Sequence, residues 1–307
     1  MDKERQNKIL LPLDGSNRSL NTVRYIARSR LFHGSRIVLF TVFSCVPEAY
    51  WDLETDARSL QTIRQARAWE GQQRKNIQQF LEKAKQILIR AGVQEKDVEA
   101  RIQNRRKGIA RDIIQEAKKD YVALITRRRG LNALRGVVLG SVATKLIERV
   151  DFMPLIIAGK NPQGRKILIG FDGSQDAMKA VDFVGSVAAG SDYEVLLLHA
   201  VRARDNIFSK GLPKTVEKDA VQEVTSLSYI AVKKLISWGV DPGLITTATI
   251  KGGTSRARMI VQEAKQNNFG TIVVGRKGRS RVRDFFIGRV ANKIIYMARD
   301  RSVWIIR

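Results

Sequence analysis

Two short segments of this sequence join a β-rich apolar run to the same acidic corner. KILLPLDGS ends with Asp14, Gly15 and Ser16, and KILIGFDGS ends with Asp172, Gly173 and Ser174. Such a corner has a structural use, because the glycine permits a tight turn and the serine can cap the amides of a following helix. It also has a functional use, since the carboxyl ends of strands in open α/β sheets are where ligands are contacted. A second pattern bears on the choice. GRKGRSRVRDFFIGRVANKII follows an apolar run and carries Gly275, Gly278 and Gly288 with two and nine residues between them. Glycines let a backbone approach a phosphate closely, and the amides at a helix N-terminus favour anions. The pattern is therefore a candidate phosphate cradle, placed after the strand expected beside the one that bears Asp172.

The first half carries a related loop, TRRRGLNALRGVVLGS, with Gly130, Gly140 and Ser141 but with Arg127 where the first glycine would stand. If that position needs a left-handed backbone, a non-glycine residue costs about 1 to 2 kcal/mol. Arg276, Lys277, Arg279, Arg281 and Arg283 surround the second loop, opposed by Asp284, and Arg127, Arg128, Arg129 and Arg135 surround the first. Singly each reads as solvated basic surface; together they fall where a triphosphate would lie.

Other chemistry is poorly represented. His33 and His199 are the only histidines, and His199 sits within a strand, where a hydrogen-bonded structural role is the simpler reading. No Gly-x-Ser-x-Gly elbow and no Walker A run occurs. The single cysteine, Cys45, has no partner for an intramolecular disulfide, and no Cys/His cluster has metal-ligand spacing. The residues point to a binding protein rather than an enzyme, although slow ATP hydrolysis with Asp172 holding a metal is left open.

The elements that position these residues alternate. In the first half the β-rich runs ILLPL and RIVLFTVF flank a helical stretch over about 17–30. A long segment follows, in which Phe80, Ala84, Ile87 and Leu88 recur at helical spacing before Gly92. Then come VEARI, the helix ARDIIQEAKKD, the strand YVALIT, the glycine loop, the helix SVATKLIERV and the strand PLIIAG. The second half repeats this order, with IVQEAKQNNFGTIVVG matching IIQEAKKDYVALITR and SVWIIR matching PLIIAG. Strands alternating with helices predict an α/β fold with parallel sheets covered on both faces. KNPQGR, residues 160–165, is rich in turn formers, so the domains are expected at 1–160 and 161–307. SCVPEAYWDLETDARS and RARDNIFSKGLPKTVEKDA, after the second strand of each half, read as loops.

The 307 residues are 44% hydrophobic and 28% charged, the balance of a chain that can build cores, and no apolar run approaches the roughly 18 to 20 residues of a membrane span. With a polar start, the cytoplasm is the expected location. The formal net charge is +25, which attracts phosphates, nucleic acid or other polyanions.

Taken together, the strands ending at Asp14 and Asp172, the LLLHAV second strand, the QEAK helix and the Gly-x2-Gly-x9-Gly loop resemble the universal stress protein family in its tandem two-domain form. The resemblance covers nearly the whole chain. It implies two doubly wound, Rossmann-like parallel sheets of five strands in the order 3-2-1-4-5. It also implies binding of ATP or of ADP or AMP, magnesium entering with the nucleotide, and dimers paired through the last strand. Carried over by residue, Asp14 and Asp172 would stand near the adenosine, and the backbone of Val42 and Ala200 would meet adenine. Gly275, Gly278 and Gly288 in one copy, and Gly130, Gly140 and Ser141 in the other, would hold phosphate. The family loop ends in Gly followed by Ser or Thr; here the second copy has Gly288-Arg289, where a guanidinium could replace the hydroxyl. The second site is the favoured one, in a non-catalytic stress-response or regulatory protein. A basic nucleic-acid-binding protein with degenerate nucleotide sites is the alternative. The terminal strands are expected at sheet edges, paired with each other in an intrachain pseudo-dimer or across a homodimer.

Overall fold

The computed structural model describes residues 7–45, 57–128, 139–159, 164–202, 214–278 and 287–307. Contacts gather them into two compact units, Met1–Ile125 and Thr126–Arg307.

The first unit runs β1 (Lys8–Pro12), α1 (Leu20–Ser29), β2 (Arg36–Phe43), α2 (Ala57–Arg90), β3 (Val98–Asn104), α3 (Ile109–Ala117) and the start of β4 (Ala123–Arg127). Its strands lie in the order β3-β2-β1-β4, and every pair is parallel. The central strands are apolar on both faces: Ile9, Leu10 and Leu11 of β1 and Ile37 to Phe40 of β2 are all buried. Burial on two sides is what a sheet with helices on both faces requires, and it explains why these runs do not alternate. In α2 the residues Leu81, Ala84 and Leu88 are buried at helical spacing, and the chain turns beyond it at Gly92 with φ of +99°.

An ionic cluster closes one side of this unit. The Glu116 carboxylate on α3, with its side chain 1% exposed, accepts hydrogen bonds from Tyr121 Oη at 2.7 Å, Lys119 Nζ at 2.6 Å and Arg101 on β3. Burial opposes its charge, but the hydrogen bonds from Lys119 and Tyr121 and the nearby cations outweigh burial and hold its pKa below the ordinary glutamate value. Because the folded-state value is depressed, the stabilisation is complete above the unfolded pKa and is lost as pH falls through the folded one. Glu116→Gln should therefore lower stability at pH 7 by on the order of 1–3 kcal/mol. Its stability should also fall less steeply than that of the wild type from pH 5 downward, as read by urea denaturation across that range.

The second unit contains the end of β4, then α4 (Ser141–Arg149), β5 (Leu155–Ala158), β6 (Lys166–Gly170), α5 (Gln175–Ala188) and β7 (Glu194–Arg202). It continues with α6 (Lys214–Ser237), β8 (Ile245–Gly253), α7 (Arg256–Gln266), β9 (Thr271–Gly275), α8 (Arg289–Met297) and β10 (Ser302–Ile306). Its strand order is β5-β10-β9-β6-β7-β8. All its pairs are parallel except β5 with β10, which run antiparallel in the register Ile157 to Val303, Trp304 to Ile156 and Ile305 to Leu155. The five strands of the second sequence copy thus stand in the expected order 3-2-1-4-5, and the first unit repeats its 3-2-1-4 part.

The structure bears on two sequence expectations here. Of the two terminal strands, β10 is interior to its unit because β5 covers its outer edge, so the apolar pair satisfies its own backbone within the chain. That pairing gathers α4 and β5 into one compact unit with the second copy's strands. Ala57 to Ser59 and the segment beginning at Lys214, both read as loop, are helical and open α2 and α6. The other parts of the two long connections, 46–56 and 203–213, lie outside the described residues.

Candidate functional site

The second copy's candidate residues fall within one unit, and β6 and β9 bring them together. These strands are neighbours, with Ile169 opposite Val273 and Gly170 opposite Val274, so the chain beyond each emerges at the same end of the sheet. Beyond β6, Gly173 takes φ of +73°, and a Cβ there would meet the Leu227 side chain of α6 at 2.6 Å. This turn aims the Asp172 carboxylate back over the corner, where Oδ1 accepts the Ser174 amide at 3.0 Å. Ser174 is the N-cap of α5, its Oγ accepting the Ala177 amide at 3.2 Å. His199 on β7 supports the corner from below: its Nδ1 lies 3.0 Å from the carbonyl oxygen of Phe171, so the tautomer protonated at Nδ1 donates there. This is a structural role for the histidine.

The first arm of the glycine loop is laced onto that corner. The Lys277 amide donates to Asp176 Oδ2 at 2.9 Å, and Ser174 Oγ lies 3.4 Å from the Lys277 carbonyl. A Cβ on residue 278 would lie 2.6 Å from Asp172 Oδ2, and one on residue 275 would meet the backbone of Asp176 and Ala177 at 2.8 Å. The far end of the loop returns to the near end, because the Gly288 amide donates to the Arg276 carbonyl at 2.8 Å. Gly288 then opens α8 with an extended backbone and, having no side chain, gives the helix no side-chain cap. Arg289 is the exposed first residue of α8, and Ala200 is buried in β7.

The reason for the first loop glycine differs from the sequence expectation. Neither Gly275 nor Arg127 has a positive φ, so Arg127, the last residue of β4, carries no left-handed penalty. Gly275 is required by the close approach of α5's first turn instead. Two arginines assigned to the phosphate region are also corrected. Arg276 is 2% exposed, and its guanidinium donates to the carbonyls of Val150 at 2.9 Å, Ile147 at 2.7 Å and Glu148 at 3.2 Å. Arg128 is 9% exposed and donates to the Ala298 carbonyl. Burial pulls the Arg128 pKa down to about 10 and lowers that of Arg276. The two hold helix ends rather than facing a ligand. Their equivalent positions, each the first residue after a fourth strand, were the one sequence signal that distinguished them from the other basic residues.

The first copy's candidates are distributed over both units. Asp14 and Val42 belong to the first. Asp14 Oδ1 accepts the Ser16 amide at 3.0 Å and its hydroxyl at 2.6 Å. Burial works against the Asp14 charge, but the hydrogen bonds from Ser16 and Ser19 prevail and lower its pKa. Val42 lies in β2 opposite Gln103. Gly140 and Ser141 belong to the second unit, where Gly140 caps α4 with the same extended backbone that Gly288 gives α8, again with no side-chain cap. Gly130, with Arg129, Arg135, Arg279, Arg281, Arg283 and Asp284, lies outside the described residues.

Two doubly wound strand sets with Asp-Gly-Ser corners meet an independent finding: the model of the Universal stress protein family matches residues 6–158 and again 164–307. The chain belongs to that family. A universal stress protein from Mycolicibacterium smegmatis is 22% identical over 294 residues, covering 94% of each chain. The crystal structure of a universal stress protein from Archaeoglobus fulgidus superposes with a TM-score of 0.64 over 98% of both chains at 18% identity. A chain from Pseudomonas aeruginosa gives 0.61 over 99% of this chain and 95% of its own at 14% identity. These structural likenesses bear on the fold, and both are with chains of tandem length. Among the described residues no helix is long and apolar enough to cross a membrane, and no group of three or more His, Cys, Asp or Glu could hold a metal ion.

Proposed function

We propose that this universal stress protein binds ATP, or ADP or AMP, in the crevice between the Asp172 corner and the loop that starts at Gly275 and ends at Gly288. In this reading it acts as a non-catalytic nucleotide-dependent regulator in the stress response. The observation that carries it is the approach of Gly278 to Asp172: residue 278 lies against the strand-end carboxylate with no room for a side chain, and Gly288 at the start of α8 is tied back to the same stretch. A glycine held that close to a carboxylate, near a helix N-terminus, is what a ligand with a polar sugar at one end and phosphate at the other would use.

In this proposal Asp172 and the backbone of Ala200 face the nucleoside, Gly275, Gly278, Gly288 and Arg289 hold phosphate, and magnesium arrives as part of the nucleotide complex. Asp14, Val42, Gly130, Gly140 and Ser141 form the corresponding set of the first copy. The copies divide near residue 160, the cytoplasm is the compartment, and homodimers form beyond the intrachain strand pair.

The +25 net charge supports a second reading, a polyanion-binding protein that contacts nucleic acid. Salt separates the two. ATP binding by calorimetry should weaken only a few-fold between 50 and 200 mM salt, whereas polynucleotide binding through several phosphates would fall by about 10³ or more. Mass spectrometry of small molecules released from the purified protein should find an adenine nucleotide. No heat with ATP, ADP or AMP, together with strong salt-sensitive RNA or DNA binding, would favour the second reading.

A further inference from the structure

The guanidinium of Arg276 and its backbone do different jobs at once. The side chain holds three carbonyls of the last turn of α4 and its following residue. The backbone amide donates to the Ile306 carbonyl at the end of β10, and the backbone carbonyl receives the Gly288 amide, which closes the glycine loop. Helix α8, which begins at that closure, is held at its other end by Arg128, whose guanidinium meets the Ala298 carbonyl. The two arginines follow β9 and β4 respectively, and each caps the C-terminus of the helix that follows the other strand. Cations at these positions also meet the negative ends of the helix dipoles.

We infer that Arg276 is a positioning residue for the nucleotide loop, and that through it the last turn of α4 and nucleotide occupancy of the loop are coupled. The inference rests on the nucleotide reading above. A ligand bound at the amides of α8 fixes Gly288, Gly288 fixes the Arg276 carbonyl, and the same residue's side chain fixes the end of α4. Helix α4 begins at Gly140 and Ser141, the first copy's counterpart of Gly288 and Arg289. Occupancy of the second copy's loop therefore orders the helix that carries the first copy's loop end. Arg128 gives the reverse connection, from the end of β4 to the end of α8. By linkage, a partner at the end of α4 whose affinity ATP raises by some factor must raise the affinity for ATP at α8 by that same factor.

The test combines calorimetry with hydrogen exchange on the full chain, using ATP as the probe. In the wild type, saturating ATP should slow exchange in peptides covering Leu146 to Val150. Arg276→Met, close in length but without donors, should bind ATP roughly tenfold more weakly and lose that protection. Arg276→Lys, which keeps a charge and can reach some of the carbonyls, should fall between the two. Circular dichroism and thermal melting establish that each variant is folded, and the wild-type exchange result stands without any variant. ATP binding by the wild type with unchanged exchange at Leu146 to Val150, or equal affinity in the folded Arg276→Met protein, would overturn the coupling and leave the nucleotide reading in place. No ATP binding by the wild type would overturn both.

Discussion

Gly278→Asp is expected to abolish ATP binding in the second copy while the protein stays folded. A Cβ at this position would stand 2.6 Å from Asp172 Oδ2, closer than real contacts allow, so even alanine must displace the carboxylate. Aspartate adds a second negative charge beside the first, at the place where a third group, the nucleotide phosphate, would also bring negative charge. Like charges a few ångströms apart in a partly desolvated crevice oppose one another by several kcal/mol. A loss of about hundredfold or more in affinity, ~2.7 kcal/mol, is the expected calorimetric result. Residue 278 is exposed and belongs to no strand or helix, so the melting temperature should change little. Binding retained at the wild-type strength would remove the second copy's loop from the nucleotide proposal. A residual weaker phase would instead report the first copy's set.

The largest expected effect on stability belongs to Trp304. Its side chain is fully buried on β10, with Ile156 of β5 on one side and Val273 of β9 on the other, and the Phe183 ring of α5 meets it edge-on with centroids 5.6 Å apart. Trp304→Ala removes the transfer energy of a whole indole and leaves a cavity between two strands and a helix that cannot close over it. Such changes cost about 3–5 kcal/mol. Urea or guanidinium denaturation should show the midpoint falling accordingly, and Trp304→Phe, which keeps the edge-on ring partner, should recover about half of the loss. A change below about 1 kcal/mol for the alanine variant would mean that the β5–β10 seam contributes little to the stability of its unit.

Much of the frame was legible before any coordinates. Continuous apolar runs such as ILLPL and TIVVG could only be buried strands, and their alternation with helical segments left a parallel sheet as the economical arrangement. The Asp-Gly-Ser corner reads correctly in the second copy, where Gly173 takes the left-handed turn and Ser174 caps the helix; in the first, Gly15 takes the same turn but α1 starts only after Ser19, without a side-chain cap. What stayed hidden follows from a different kind of physics. Arg276 and Arg128 looked like surface because charge usually stays in water; they are buried with their guanidinium groups donating to carbonyls at helix ends, at a distance in sequence that no local pattern encodes. Arg127 looked like a defect because glycine is most often read as a demand for positive φ. The crowding at Gly275 comes from α5, an element whose approach no spacing reveals. The pairing of β5 with β10 was one of two arrangements that apolar sequence allowed, and register across so long a separation is set by packing alone.

That pairing has a consequence for how the protein is made. Leu155, Ile156 and Ile157 leave the ribosome while their partners Ile305, Trp304 and Val303, a whole sequence copy later, have yet to be synthesised. One edge of β5 therefore stays bare throughout translation of the second copy, and the contact that covers it cannot form before that copy is made. Until β10 emerges, the nascent β5 is the strand most open to capture by a neighbouring chain.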